Sequence, residues 1–214
     1  LSELNIDRLR FTTSHPKDMN NKLIRCFVGI PKLQPYLHLP IQSGSNKILK
    51  AMNRGYSKQQ YIEIIEKIRD IRPDTAISGD FIVGFPGETE DDFNDTMDII
   101  KKVRYAHAYS FKYSPRPGTP AASMDLQIDE ETKKKRLFKL QELITSSMKT
   151  FNESFLGRTL EILVEKQGSE EDQISGRSPY LQSVHMEGHN SLIGELLNVE
   201  ILKIRENSLF GTIV

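Results

Sequence analysis

The sequence predicts an α/β chain in two parts: strands alternating with helices over residues 1–155, forming the later portion of a parallel (β/α) barrel, then a small antiparallel β-barrel over 156–214. Three observations carry this. Apolar stripes with helical spacing separate short strand-like runs as far as Phe155, and strands joined by helices of that length pair in parallel through right-handed crossovers. After Gly157 the pattern changes to alternating polar and apolar residues with Gly, Ser and Asn turns between them. Two of the earlier strands also run straight into turns that hold Gly84, Pro86 and Gly87, and Pro115, Pro117, Gly118 and Pro120. In an alternating barrel such strand ends are where ligands bind, and turns poor in side chains let the backbone approach a flat or phosphorylated ligand.

The elements follow in order. Residues 8–13 read as a strand ending at Ser14-His15-Pro16, followed by a helix from about Lys17 to Ile30. A strand over 36–42 stops at Ser43-Gly44-Ser45, and a short helix spans 46–53. Ser57 with Gln60 has the capping-box pattern, and Tyr61, Ile64, Ile65, Ile68 and Ile71 form one stripe up to Pro73. A strand over 76–84 precedes a second capped helix, opened by Thr89 with Asp92 and carrying Phe93, Met97, Ile100 and Val103. The strand 106–113 is followed by a long helix from about Asp129, which buries Leu137, Leu140, Ile144, Met148, Phe151 and Phe155 and stops at Gly157. In the second part, strands are expected at 159–165, 183–187, 197–203 and 209–214, with 167–175 as a polar hairpin tip. Four strands in the first part are half of what a closed eight-stranded barrel needs, so the pattern implies further strands upstream.

Lys and Arg together number 29, as do Asp and Glu, so no net charge draws the chain to nucleic acid or membrane. No apolar run approaches the roughly 18 residues of a membrane span. The N-terminus has no apolar signal region, and a cytoplasmic location is the default. The single Cys26 forms no internal disulfide and cannot alone hold an iron–sulfur cluster or a zinc; in its apolar stretch it reads as a small core residue. Residues 156–214 hold five Lys or Arg against nine Asp or Glu, a net of −4. Phosphate contacts there require residues such as Arg158, Arg177 and Lys203 to gather on one face.

Three strand ends carry candidate chemistry. In His38–Ser45, Gln42 and the serines offer hydrogen bonds to a ribose or carboxylate, although Ser-Gly-Ser equally describes a plain turn. His38 alternates with Leu37 and Leu39, which leaves a core histidine as an open reading. Arg54 offers a planar fork to a carboxylate or phosphate, or is a solvated surface arginine.

His-Leu-Pro-Ile-Gln-Ser-Gly-Ser (38–45), Met-Asn-Arg-Gly-Tyr (52–56), Asp-Phe-Ile-Val-Gly-Phe-Pro-Gly-Glu-Thr (80–89) and Ser-Pro-Arg-Pro-Gly-Thr-Pro-Ala (114–121) resemble the radical-SAM methylthiotransferases, in order and in spacing. Residues 156–214 resemble that family's C-terminal TRAM domain, a small β-barrel held to bind RNA. The resemblance implies a radical-SAM barrel, cleavage of S-adenosyl-L-methionine (SAM) by a 4Fe-4S cluster, and a second cluster used in sulfur insertion at C2 of an N6-isopentenyladenosine beside the tRNA anticodon. Threonylcarbamoyl-adenosine in tRNA, or a ribosomal-protein aspartate, is the substrate of sibling enzymes. The six cysteines that bind the clusters are not in this sequence, so the resemblance implies a C-terminal half that needs its N-terminal half; a non-catalytic RNA-binding remnant is the competing reading. By position, Ser14, His15, Gln42, Ser43, Asp80 and the backbone of Phe81 to Gly84 fall at SAM contacts, with Arg54 toward the methionine carboxylate. Arg116 lies in the loop expected near adenine or the target base, and Arg158, Arg177 and Lys203 are the candidates for tRNA.

Overall fold

A computed structural model describes residues 3–10 and 15–214. Two compact units divide the chain: residues 1–33 with 37–148, and 34–36 with 149–214. Among the described residues no helix is long and apolar enough to cross a membrane.

The first unit opens with a 3₁₀ turn at Pro16–Asp18, then α1 (Asn21–Gly29), which Asn20 caps by accepting from the Lys22 and Leu23 N–H groups. There follow β1 (Tyr36–His38), α2 (Asn46–Ala51), α3 (Lys58–Ile71), β2 (Ala76–Val83), α4 (Glu90–Val103), β3 (His107–Lys112) and α5 (Glu130–Glu153). Both capping boxes expected from the sequence form, Ser57 with Gln60 on α3 and Thr89 with Asp92 on α4. Each satisfies N–H groups that the first helical turn leaves without partners.

The sheet has the order β1-β2-β3, with β2 and β3 parallel in register from Ser78↔His107 to Val83↔Lys112. Leu37, Leu39, Ile41, Ile77, Phe81 and Val83 join one buried cluster with Tyr61, Ile65 and Ile68 of α3, Phe93 and Ile100 of α4, and Leu140 and Ile144 of α5. The alternate residues of β2 and β3 share the other face, pairing Asp80 with Tyr109 and Ile82 with Phe111. Tyr109 and Phe111 are half exposed there. Parallel sheets ordinarily have both faces covered, whereas these two aromatics leave this face partly open among the described residues.

Several expectations are corrected. The strand at 8–13 is, among described residues, a single bridge from Leu9 to Leu33; residues 11–13 lie outside the described set, so three strands are described rather than four. Regular pairing of the strand at 36–42 ends at His38, because Pro40 has no N–H to give the ladder. The ladder resumes at Gln42, whose N–H donates to Asp80 O and whose carbonyl accepts from Ile82 N. Helix α5 ends at Glu153, and Gly157 sits at φ +71° in the turn beyond it.

The second unit is a closed barrel of β4 (Thr159–Gln167), β5 (Gln173–Arg177), β6 (Ser183–Glu187), β7 (Leu196–Ile204) and β8 (Leu209–Ile213), in the order β4-β5-β6-β8-β7. Leu160, Ile162, Val164, Ile174, Val184, Met186, Val199, Ile201 and Leu209 are buried. The barrel is not wholly antiparallel, since β6 and β8 run parallel. β5 was unexpected: the polar tip is only 168–172, and Gln173 starts a strand. A Cβ at Gly211 would stand 2.3 Å from the Glu200 carbonyl oxygen, so glycine is what lets β7 and β8 come this close.

Candidate ligand groove at the strand ends

An open groove of about 1160 Å³ runs along the C-terminal strand ends of the first unit, with Gln42, Arg54, Asp80, Phe85, Tyr113 and Arg116 in its wall. Four of these were expected from the sequence and two were not.

Gln42 sits at φ +79° with its backbone bonded to β2 on both sides. A left-handed conformation is unfavourable for a residue with a Cβ, and such outliers gather at functional sites. Asp80 is the carboxylate of the wall. His38 Nε2 lies 3.5 Å from its Oδ2, and His38 Nδ1 lies 3.1 Å from Ser78 Oγ. The row has the residue types of a nucleophilic triad, but Ser78 is fully buried and reaches no substrate. What the row does is orient the Asp80 carboxylate. Nearby on the same face, burial and then the His38 charge lower the His107 pKa, so its imidazole is neutral near pH 7.

Arg54 is half-buried and held from behind. Its Nε donates to Tyr56 Oη at 3.1 Å, and Tyr56 Oη donates to Ile41 O at 2.9 Å. His15 meets Tyr56 edge-on at 5.1 Å between ring centroids, outside the groove wall, and burial followed by the Arg54 charge lowers its pKa. His15 thus touches the Tyr56 ring, and Tyr56 in turn holds Arg54. Ser14 lies outside the described residues.

Three expected residues stand behind the wall instead of in it. Ser43 is fully buried, 3.3 Å from Thr96 Oγ1 and accepting from the Ser45 N–H, while Ser45 Oγ donates to Asp92 at 2.6 Å. The Ser43-Gly44-Ser45 turn is thus the cap of α2 seated on α4. Burial would raise the Asp92 pKa, but hydrogen bonds from Lys47, Ser45 and Thr89 outweigh it and hold the carboxyl well below its ordinary range. Phe81 is buried edge-on against Tyr105 on the helix side. Gly84, at φ +73°, lies where a Cβ would stand 2.4 Å from Lys133 Cγ.

Phe85 and Tyr113 were missed. Their rings meet edge-on at 5.1 Å, and Lys133 Nζ lies 5.6 Å from the Tyr113 centroid. The Tyr113 hydroxyl is buried and has no hydrogen-bond partner in the protein. The available signal was position, since both residues lie where a strand enters its Gly/Pro turn. Arg116 is exposed in the second turn, whose backbone is fixed by Thr119 donating to the Arg116 carbonyl through both N–H and Oγ1.

The groove therefore offers one oriented carboxylate, two guanidinium groups, an amide and aromatic edges. That inventory fits a nucleoside carrying an amino-acid carboxylate, which is the chemistry of SAM. It does not fit a 4Fe-4S cluster. The sole cysteine, Cys26, is turned into α1 with its Sγ 3.3 Å from Lys22 O, and no group of three possible metal ligands occurs among the described residues.

Of the tRNA candidates in the second unit, Arg158 lies over the Phe155 ring at 5.2 Å, Arg177 pairs with Glu165 at 3.5 Å, and Lys203 is exposed on β7.

Residues 2–100 match the family described as the radical SAM superfamily, and residues 153–214 match the TRAM domain. A protein of Maricaulis maris named tRNA-2-methylthio-N(6)-dimethylallyladenosine synthase is 54% identical over 208 residues, which are 97% of this chain and 46% of that protein. Proteins with the same name are 52% identical over 211 residues in Rickettsia rickettsii (98% of this chain, 47% of the relative) and 53% over 206 in Agrobacterium fabrum (96% and 45%). The chain spans about half the length of the curated relatives it matches. Among solved structures, Escherichia coli coproporphyrinogen III oxidase, described as a radical SAM enzyme, aligns with a TM-score of 0.55 at 13% identity, covering 95% of this chain and 50% of that one. That likeness speaks for the fold alone. This chain is a radical SAM superfamily segment joined to a TRAM domain.

Proposed function

We propose that the chain is the C-terminal half of a tRNA methylthiotransferase that acts at C2 of N6-isopentenyladenosine, and that it supplies the far wall of the SAM site and the RNA-binding barrel. The observation that carries this reading is the convergence of Gln42, Arg54, Asp80 and Arg116 with Phe85 and Tyr113 on one groove, in a chain 54% identical to a synthase of that name.

In this reading Asp80, held by His38, accepts hydrogen bonds from the ribose hydroxyls, and Gln42 completes them from the neighbouring strand end. Arg54 faces the methionine carboxylate, with Tyr56 fixing its fork and His15 supporting Tyr56. Phe85 and Tyr113 border the adenine or the target base, and the unpartnered Tyr113 hydroxyl awaits a polar atom of the ligand. Ser43, Phe81 and Gly84 act through backbone and packing. SAM, when bound, would supply radical chemistry through its sulfonium. Every ligand to the clusters comes from the partner half, which also covers the open face bearing Tyr109 and Phe111. The compartment that fits tRNA as partner is the cytoplasm.

The test is reconstitution. Co-expression with the N-terminal half of the Maricaulis maris relative is expected to give a mixed enzyme that adds a methylthio group to N6-isopentenyladenosine tRNA, read by mass spectrometry of nucleosides. A folded pair that neither binds SAM nor modifies that tRNA would overturn the reading.

A further inference from the structure

The second unit is net negative, yet its charges are sorted by two irregularities in its strands. On β4, Ile162 and Val164 fill the barrel, so strict alternation would point Lys166 inward as well. The register shifts between Val164 and Lys166, which makes Glu165 the extra residue of a β-bulge and brings Lys166 opposite Ser175. On β7, Val199 and Ile201 fill the barrel, and Lys203 would follow them in. There the register shifts between Ile201 and Lys203, and Lys203 comes opposite Phe210. Both lysines are exposed. Two bulges on two strands each re-aim one lysine, the use to which bulges are put beside binding sites.

Both lysines arrive in one row. The ladder pairs Lys166 with Ser175, Ser175 with His185, His185 with Phe210, and Phe210 with Lys203. Arg205 lies over the Phe210 ring at 5.4 Å, and Arg177 stands two residues from Ser175 on β5, on the same face. The charges of Arg205, Lys166 and Arg177 all bear on the His185 ring, adding to burial in lowering its pKa. His185 Nδ1 is buried and has no hydrogen-bond partner in the protein. Four of the five cations of residues 156–214 thus surround one half-buried histidine and one half-buried phenylalanine. The acids on or beside this face are Glu165, paired with Arg177, Glu187 at the end of β6, Glu206 next to Arg205, and Glu170 to Asp172 in the β4–β5 tip. Glu161 and Glu200 belong to the separate β4–β7 surface, opposite Asn198 and Thr159.

We propose that this face, Lys166, Arg177, His185, Lys203 and Arg205 around Phe210, is where the barrel grips the phosphate backbone of RNA. The proposal rests on the reading of tRNA as partner and adds to it the surface used. Separated cations along one row suit a backbone of regularly spaced phosphates, and Phe210 offers a face for stacking an unpaired base. Arg158, over Phe155, is left out of the grip.

The test uses the 214-residue chain and a fluorescein-labelled RNA stem-loop, with anisotropy titrations between about 50 and 200 mM salt. Each phosphate contact contributes roughly 0.7 to 0.9 to the slope of log affinity against log salt. The double variant Lys166→Gln/Lys203→Gln changes only exposed positions and is expected to melt like the parent. It should flatten the slope by about 1.4 to 1.8 and weaken binding roughly ten- to thirtyfold at 0.15 M salt. Parental affinity and slope in the double variant would overturn the face while leaving tRNA as partner. Absence of RNA binding by the parent chain would overturn both. Displacement of the RNA by an equal concentration of polyglutamate would assign the face to acidic proteins and overturn the proposal.

Discussion

Arg136 of α5 and Glu88, just before α4, form an ion pair of 2.8 Å with both side chains almost fully buried. The Glu88 oxygen that accepts from Arg136 also accepts from the Gly84 N–H at 2.9 Å. One carboxylate thus ties the long helix to the turn at the end of β2, which carries Phe85 into the groove wall. The second Glu88 oxygen and Arg136 Nε are buried without partners, and burial raises the Glu88 pKa against the opposing pull of Gly84 and Arg136.

Arg136→Met is expected to destabilise the chain by about 3–5 kcal/mol, because it leaves a buried carboxylate without its cation. Adding Glu88→Gln removes that charge and should recover part of the loss. Urea unfolding of the two singles and the double measures the coupling, and strictly additive effects would refute it.

Two buried tyrosines form a directed chain: Tyr105 Oη donates to Tyr61 Oη at 2.9 Å, and Tyr61 donates to Leu39 O at 2.8 Å. Both are fully buried, and burial pushes both phenols well above their ordinary range. Removing the Tyr61 hydroxyl strands two partners, whereas removing that of Tyr105 strands none that must donate. Tyr61→Phe should therefore cost about 1–3 kcal/mol and exceed Tyr105→Phe. The reverse order in denaturant midpoints would show that the direction of donation is wrong.

Gln42 holds an unfavourable conformation for the sake of its position. Gln42→Gly is expected to raise stability by up to about 1 kcal/mol by relieving the left-handed backbone, while Gln42→Val lowers it. In the reconstituted enzyme the same Gln42→Gly should weaken SAM binding. A glycine variant that is both less stable and equally tight for SAM would remove Gln42 from the site.

His107 carries a lowered pKa, chiefly from burial. Below about 6.5, the ordinary value, the unfolded chain takes a proton that the folded chain resists. Stability is thus present above that pH and is lost as pH falls through the folded value. Melting temperatures should drop between pH 7.5 and 5.5, and His107→Gln should flatten part of that drop. An identical pH profile in the variant would count against a neutral, half-buried imidazole.

What the sequence determined by itself is whatever lies within a turn or two of its own residues. Ser57 with Gln60 and Thr89 with Asp92 find their partners three residues away, so the helix starts were legible, and β6 alternates cleanly enough to be bounded correctly. Gln42, Asp80 and Arg116 were legible as groove candidates because they stand at strand ends, and Arg54 because its planar fork follows a short helix. Tertiary structure alone decided the rest. Gln42 enters the groove and Ser43 leaves it because Thr96 of α4 captures the serine. β5 went unseen because Gln173-Ile-Ser-Gly-Arg has little strand propensity and is held by β4 and β6 on either side. Lys166 and Lys203 look inward by alternation and face outward in fact. A bulge is a mismatch in length between two paired strands, and no single strand contains the information for it.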